Sequence, residues 1–276
     1  MDAKSERFKT KKSLGQHFLN NPKVSEWMCD AAALRPDDLA VEVGPGTGAL
    51  TKELLKRGVK VVALEADERA VNILRETFAA EVSSGQLNIL HLDVRTLDVT
   101  QLPGIADGNY KVAANIPYYL SGLLFRIFLQ SPVQPKTLTY LVQKEVAKRI
   151  TADTKKGEKE SLLSVGVKVL GEPSYVRTVS RGHFTPPPKV DSAIIHIENI
   201  SRERLLGIEP EAFFAVLHTA FGQKRKQLLG NLAGEYGREA VSHILSTLNL
   251  PLSTRAEDVS SEKWPGLVKA LLSTRN

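Results

Sequence analysis

Cysteine, methionine and tryptophan are nearly absent from this chain: it has one Cys, two Met and two Trp in 276 residues. A single cysteine, Cys29, forms no internal disulfide and builds no thiolate zinc cluster. Its apolar helical setting reads as a buried thiol. The six histidines show neither H-x-x-x-H nor H-E-x-x-H spacing, so no metal is expected. Long apolar runs are missing too: none approaches the roughly 18 residues that cross a bilayer. The N-terminus has no signal-peptide core. Internal repeats and low-complexity tracts are also lacking. These absences lead to the expectation of a cytoplasmic protein with no metal and no membrane partner. Nothing in the pattern calls for an obligate oligomer, so a monomer is expected.

What is present is an ordinary globular composition, 42% hydrophobic and 25% charged. The length allows a sizeable core and a second, smaller unit. The net charge of +6 and the pI near 9.3 suit a polyanionic partner. Where the charge clusters says more than its total.

The chain is organised around Val41-Glu42-Val43-Gly44-Pro45-Gly46-Thr47-Gly48. A strand over 39–43 runs into a glycine turn, and a helix begins at about Gly48. Such a turn lets backbone approach a ligand at the carboxyl end of the first strand of an α/β sheet. The spacing is G-x-G-x-G rather than G-x-G-x-x-G, no P-loop Lys-Ser/Thr follows, and no basic residue sits in the turn. A ligand with little phosphate is therefore expected. Glu65 closes the next strand, 59–65, at the distance where an acid binds ribose hydroxyls. A ribose without a diphosphate points to S-adenosylmethionine. The bland alternative is a plain strand-turn-helix with a coincidental acid.

Further along, Asp67 to Ala80 has the apolar spacing of a helix. A third strand, 87–92, ends in Asp93, which is either an acceptor for an adenine amine or a turn cap. A fourth strand, 110–114, ends in Asn115-Ile116-Pro117-Tyr118-Tyr119. An exocyclic adenine amine is a poor nucleophile because its lone pair is delocalised into the ring. The Asn115 oxygen and a nearby backbone carbonyl can each accept one of its N–H bonds, which favours a pyramidal nitrogen. Pro117 stiffens the loop, and Tyr118 can stack on an extruded base. Phe184, ahead of Pro186-Pro187-Pro188, is a candidate for the other wall of that base pocket or a packed anchor. From about Glu209 only short helices are expected, over 210–220, 223–232, 237–248 and 262–272. The run Lys224-Arg225-Lys226, at the start of the second of these, is a solvated face or a set of RNA-phosphate contacts. His17, read from its surroundings alone, is a surface or hydrogen-bonded histidine rather than a ligand.

Taken together, Gln16-His17-Phe18-Leu19-Asn20, the glycine turn, Glu65, Asp93, the Asn115–Tyr119 loop, Phe184 to Ser192, Gln223 to Lys226 and Arg255 to Ser260 resemble the ribosomal RNA adenine N6,N6-dimethyltransferase family, most closely its small-subunit (16S) branch. The resemblance covers nearly the whole chain. It implies an α/β class I S-adenosylmethionine-dependent methyltransferase fold, with a Rossmann-like seven-stranded sheet and a small C-terminal all-helical domain. It implies cofactor contacts from His17, Leu19, Gly44, Glu65, Asp93 and Asn115, with Asn115, Pro117, Tyr118 and Phe184 at the target base. His17 stands where many of these enzymes have Asn. The implied domains are a flexible basic arm at 1–13, a catalytic domain over 14–204, and a helical rRNA-binding domain over 205–276 carrying Lys224, Arg225 and Lys226. The implied substrate is a pair of adjacent adenosines near the 3′ end of small-subunit rRNA, each dimethylated within an assembling subunit. The rivals are a large-subunit methyltransferase of the macrolide-resistance type, a DNA adenine methyltransferase, and an rRNA-binding assembly factor with little turnover.

Overall fold

A computed structural model describes residues 17–274; the arm expected at 1–13 lies outside them. The described chain forms two compact units. One comprises residues 17–147 and 174–198, the other 148–173 and 199–274.

In the first unit, β1 (Phe18–Leu19) precedes α1 (Pro22–Ala31). The Asn21 side chain caps α1 by accepting from the Lys23 N–H at 3.0 Å, and Pro22 occupies the first turn. α1 ends at Ala31, and just beyond it Ala33 turns left-handed at φ 45°. Then come β2 (Leu39–Val43), α2 (Ala49–Lys56), β3 (Lys60–Glu65), α3 (Glu68–Thr77), α4 (Ala79–Ser83) and β4 (Leu87–His91). The single helix expected over 67–80 is divided at Phe78, whose backbone sits at φ −116° and ψ 37°. The remaining elements of the chain up to residue 198 are β5 (Lys111–Asn115), α5 (Ser121–Leu129), β6 (Thr137–Gln143), α6 (Lys144–Ile150), α7 (Leu162–Lys168), β7 (Glu172–Val179), β8 (Phe184–Thr185) and β9 (Ser192–Glu198).

Seven of these strands form one sheet in the order β4-β3-β2-β5-β6-β9-β7. The strands from β4 to β6 are parallel, and β9 runs antiparallel to β6. This is the mostly parallel sheet with a late antiparallel strand that the resemblance implies. Strand order reverses between β2 and β5, which opens the crevice where such sheets take ligands. Val24, Met28, Leu54, Val61 and Leu74 pack into a core beneath it. A separate two-stranded ladder pairs Phe18 with Thr185 and Leu19 with Phe184.

The second unit is helical. It contains α7, α8 (Pro210–Phe221), α9 (Leu228–Tyr236), α10 (Arg238–Thr247) and α11 (Trp264–Ser273). Trp264 is fully buried, and its indole N–H donates to the Val259 carbonyl at 3.3 Å. Residues 148–173 group with these helices rather than with the sheet. Ser201 N–H donates to the Leu170 carbonyl at 3.0 Å and Glu160 N–H to the Glu257 carbonyl at 2.9 Å. The division therefore falls after Glu198, not at residue 204. The helix expected from Gln223 begins only at Leu228. Asn231 Nδ2 donates to the Ala220 and Gln223 carbonyls at 2.7 and 3.2 Å, holding 223–227 as a turn. Lys224, Arg225 and Lys226 thus precede the helix instead of starting it.

Inside this unit the buried Glu160 carboxylate accepts from Lys168 Nζ at 2.7 Å and from Ser164 Oγ at 2.5 Å. Removing the ammonium leaves a buried charge with one hydroxyl partner. Lys168→Ala is expected to destabilise the unit by about 3 kcal/mol in urea unfolding. A change below about 0.5 kcal/mol would show that Glu160 is stable without its cation.

Candidate active site

Four strand ends meet at the crevice. β2 delivers Gly44, β3 delivers Glu65, the turn after β4 delivers Asp93, and β5 delivers Asn115. All four line one pocket together with His17, Leu19, Pro117, Tyr118 and Phe184. The nine residues expected at cofactor and target base are thus gathered in the first unit. Lys224, Arg225 and Lys226 are exposed residues of the second unit.

The floor is the glycine turn. Gly46 has φ 58°, and a Cβ there would lie 2.8 Å from the Phe18 ring. Gly48 has φ 87°, and its Cβ would lie 2.5 Å from the Phe78 ring. Only glycine meets both demands without strain. Glu65 secures the turn: one carboxylate oxygen accepts from Gly46 N–H at 3.0 Å, and the other from Asp67 N–H at 2.9 Å. Glu65 is only 6% exposed. Burial raises its pKa, and the backbone donors work against that rise.

Asp93 both caps and lines. Its carboxylate accepts from the Arg95 backbone N–H at 2.9 Å and pairs with the Arg95 guanidinium at 2.5 Å. Those hydrogen bonds hold it below the usual carboxylate range. Asp93 is thus a turn cap whose position also lines the pocket.

On the opposite wall, Asn115 Nδ2 donates to the His17 carbonyl at 3.3 Å. That bond orients the amide and leaves Oδ1 as its acceptor. His17 Nδ1–H donates to the Pro186 carbonyl at 2.8 Å, and the imidazole stacks on Tyr118 with ring centres 5.9 Å apart. His17 is thus a structural link between β1 and the proline loop as well as a pocket residue. The Tyr118 hydroxyl shares a 2.7 Å hydrogen bond with Ser192 Oγ, and burial raises its pKa. Phe184 lines the pocket yet is 3% exposed, and it packs within the core. It is a wall more than an open stacking face. Tyr119, by contrast, is 61% exposed at the rim.

Phe18, Glu42 and Arg95 are among the lining residues to which the sequence assigns no role. Phe18 covers Gly46 through a ladder between distant segments, which leaves no local signal. Glu42 is the one acid in an otherwise apolar strand, and that interruption was legible. Arg95 is reached only through the cap geometry of Asp93.

The donor set is acidic where a nucleoside would rest and carries no cation at the turn. It fits a nucleoside bearing positive charge and does not fit a diphosphate. Because Gly46 combines a left-handed φ with a close ring, Gly46→Ala should cost roughly 1–2 kcal/mol from backbone conformation alone. Thermal unfolding read beside Gly85→Ala, where a Cβ meets nothing within 4 Å at a similar φ of 77°, separates ring crowding from backbone strain. Equal losses in the two variants would show that Phe18 yields freely.

A family profile described as ribosomal RNA adenine dimethylase matches residues 7–272. A protein of Dehalococcoides mccartyi named ribosomal RNA small subunit methyltransferase A is 38% identical over 94% of this chain and 87% of its own length. A Shouchella clausii protein of the same name is 34% identical over 98% of this chain and 93% of its own. Among solved structures, the 23S rRNA methyltransferase ErmE aligns with TM-score 0.70 at 28% identity, covering 92% of this chain and 99% of its own. A dimethyladenosine transferase from Plasmodium falciparum aligns with TM-score 0.74 at 22% identity, covering 94% and 98%, and so attests the fold. Strand order, pocket and profile agree, and the chain belongs to the ribosomal RNA adenine dimethylase family.

Proposed function

We propose that this protein dimethylates N6 of two adjacent adenosines near the 3′ end of small-subunit rRNA, using S-adenosylmethionine, during assembly of that subunit. The observation that carries the reading is the single pocket in which the Asn115–Tyr118 loop faces the acidic strand ends Glu65 and Asp93. The similarity of 34% and 38% to proteins named small subunit methyltransferase A, over nearly the whole chain, favours the small-subunit substrate. ErmE, which acts on 23S rRNA by its name, shares the fold at lower identity. A macrolide-resistance substrate is therefore the second outcome to be tested.

When bound, the cofactor supplies an electrophilic methyl group. Glu65 would accept from the ribose hydroxyls with the lone pairs that Gly46 and Asp67 leave free. Asp93 would accept from the adenine amine of the cofactor. His17, Leu19 and Gly44 would enclose it. At the target, Asn115 Oδ1 and a carbonyl of the same loop accept the two N–H bonds of the adenine amine and turn its lone pair out of the ring plane. Pro117 contributes no N–H to compete. Tyr118, anchored through Ser192 and stacked on His17, holds the base. These residues act by positioning. Lys224, Arg225 and Lys226 would contact RNA phosphates.

The test is transfer of labelled methyl groups to unmethylated small subunits, methylated small subunits, naked large-subunit rRNA and duplex DNA, with nucleosides identified by mass. N6,N6-dimethyladenosine from the unmethylated small subunits alone is expected. Label in large-subunit rRNA would reassign the substrate, and tight subunit binding without transfer would leave an assembly factor. Asn115→Ala should keep cofactor affinity within about threefold and lower the rate of transfer by ~10²–10³, the scale for one missing polar group in a transition state. Near-normal turnover would remove Asn115 from the mechanism. Neutralising Lys224, Arg225 and Lys226 together should reduce the log–log salt slope of RNA binding by ~0.7–0.9 for each phosphate no longer neutralised. An unchanged slope would mark the run as a solvated face.

A further inference from the structure

Glu42 lies on the strand that feeds the glycine turn, and it lines the pocket while only 1% exposed. Its hydrogen bonds come from neutral groups of Thr51 on α2, the Oγ1 hydroxyl at 2.7 Å and the backbone N–H. The charged group that acts on it is Glu65, of its own sign. Among the described residues no Lys or Arg pairs with it. The other titratable groups around it are the buried Cys29 thiol on α1, which feels the Glu42 charge, and His17, Asp93, Arg95, Tyr118 and Tyr119 around the same pocket. Arg95 is already committed to Asp93. Burial pushes the Glu42 carboxyl up to about 8. It therefore stands as the neutral acid near pH 7 while the pocket holds no cation.

A buried acid without a cation is an incomplete ion pair. We propose that Glu42 is a specificity-determining residue that reads the positive charge of the cofactor, losing its proton to solvent when S-adenosylmethionine enters and recovering one when that charge leaves. The inference rests on the cofactor assignment above. No bond to carbon changes: one O–H bond of the carboxylic acid breaks, the electron pair stays on oxygen, and the proton passes to the buffer. The consequence is selective retention of the loaded cofactor. An enzyme that transfers several methyl groups must release the spent, less positive form between transfers. A carboxylate facing a site that has lost positive charge regains its proton, and the attraction is withdrawn.

The sign follows from linkage. Raising pH toward about 8 ionises Glu42 before binding, so affinity for a cationic ligand rises over that range. A neutral nucleoside gains nothing.

The experiment is titration calorimetry of the full chain at pH 7.0 in two buffers of different ionisation enthalpy, with S-adenosylmethionine and with neutral 5′-methylthioadenosine. Wild type is expected to release a substantial fraction of one proton with the first ligand and none with the second. Glu42→Gln should abolish the release and weaken S-adenosylmethionine about tenfold, with 5′-methylthioadenosine affinity unchanged as the control for folding. Should that variant fail to fold, Thr51→Val takes its place: in wild type the logarithm of S-adenosylmethionine affinity should climb between pH 6 and 7.5 with a slope approaching one while that of the neutral nucleoside stays flat, and loss of the hydroxyl that favours the Glu42 carboxylate should move the climb to higher pH, whereas an unmoved climb would assign it to another group. Proton release that persists in Glu42→Gln would assign it to another group such as Glu65 and overturn the proposal. Binding of both ligands to wild type without differential release would also overturn it. If wild type binds neither ligand, the cofactor reading itself falls, an outcome distinct from the other two.

Discussion

The Glu65 carboxylate, gripped at both oxygens by backbone N–H groups, is the constraint on which the pocket depends. One grip fixes the glycine turn and the other fixes the start of α3, so a single side chain registers two loops from adjacent strands. The arrangement satisfies backbone donors that would otherwise be stranded at strand ends. It also commits the site to negative charge. A lysine or arginine in the turn would compete with Gly46 for the same oxygens, and the phosphate-binding variants of this turn are thereby excluded.

Around that constraint the charges sort by depth. Glu42 is the most deeply buried, Glu65 is slightly less so, and Asp93 is partly exposed with Arg95 as its partner. Solvation falls with depth, and so does the ease of holding a charge. Asp93 is held below the usual carboxylate range, whereas the two deeper acids are raised. The pocket thus grades from a permanent anion at its rim to an acid at its floor that ionises only when given a reason. On the opposite wall Asn115, His17 and Tyr118 support one another through an amide, a carbonyl and a ring stack.

Much of this was legible in the chain. The strands 39–43, 60–65 and 111–115 announce themselves by apolar runs closed by Gly44, Glu65 and Asn115, because a parallel strand is buried on both faces and its ligand end is not. The motif residues lie within a few positions of those ends, so their meeting follows from topology. Local periodicity misses what is decided at long range. Phe78, where α3 gives way to α4, places its ring against Gly48, a residue 30 positions earlier. Lys224–Lys226 leave the helix because Asn231 folds the preceding turn back on itself. Residues 148–173 read as a continuation of the catalytic domain, and long-range contacts, among them backbone bonds to Ser201 and Glu257 and the Lys159–Asp258 ion pair, draw them into the helical unit. The two-residue strands β1 and β8 have no pattern of their own, since each exists only by virtue of the other.

That last ladder sets an order of events during synthesis. The floor of the pocket is complete once the first few strands have been made. Its roof joins His17 to Pro186, which are 169 residues apart in the chain. At about 5–20 residues per second, the two halves of the roof emerge from a ribosome on the order of 10–30 s apart. Throughout that interval the glycine turn lacks Phe18 as a fixed cover, and Tyr118 lacks its histidine neighbour in a settled position. A nascent chain of this protein can therefore pair its parallel strands, β2 to β6, well before it can hold a nucleoside, whereas β9 completes the sheet only after the proline loop has been made. Competence to bind is acquired late, when the proline loop clears the exit tunnel and pairs with the earlier-made β1.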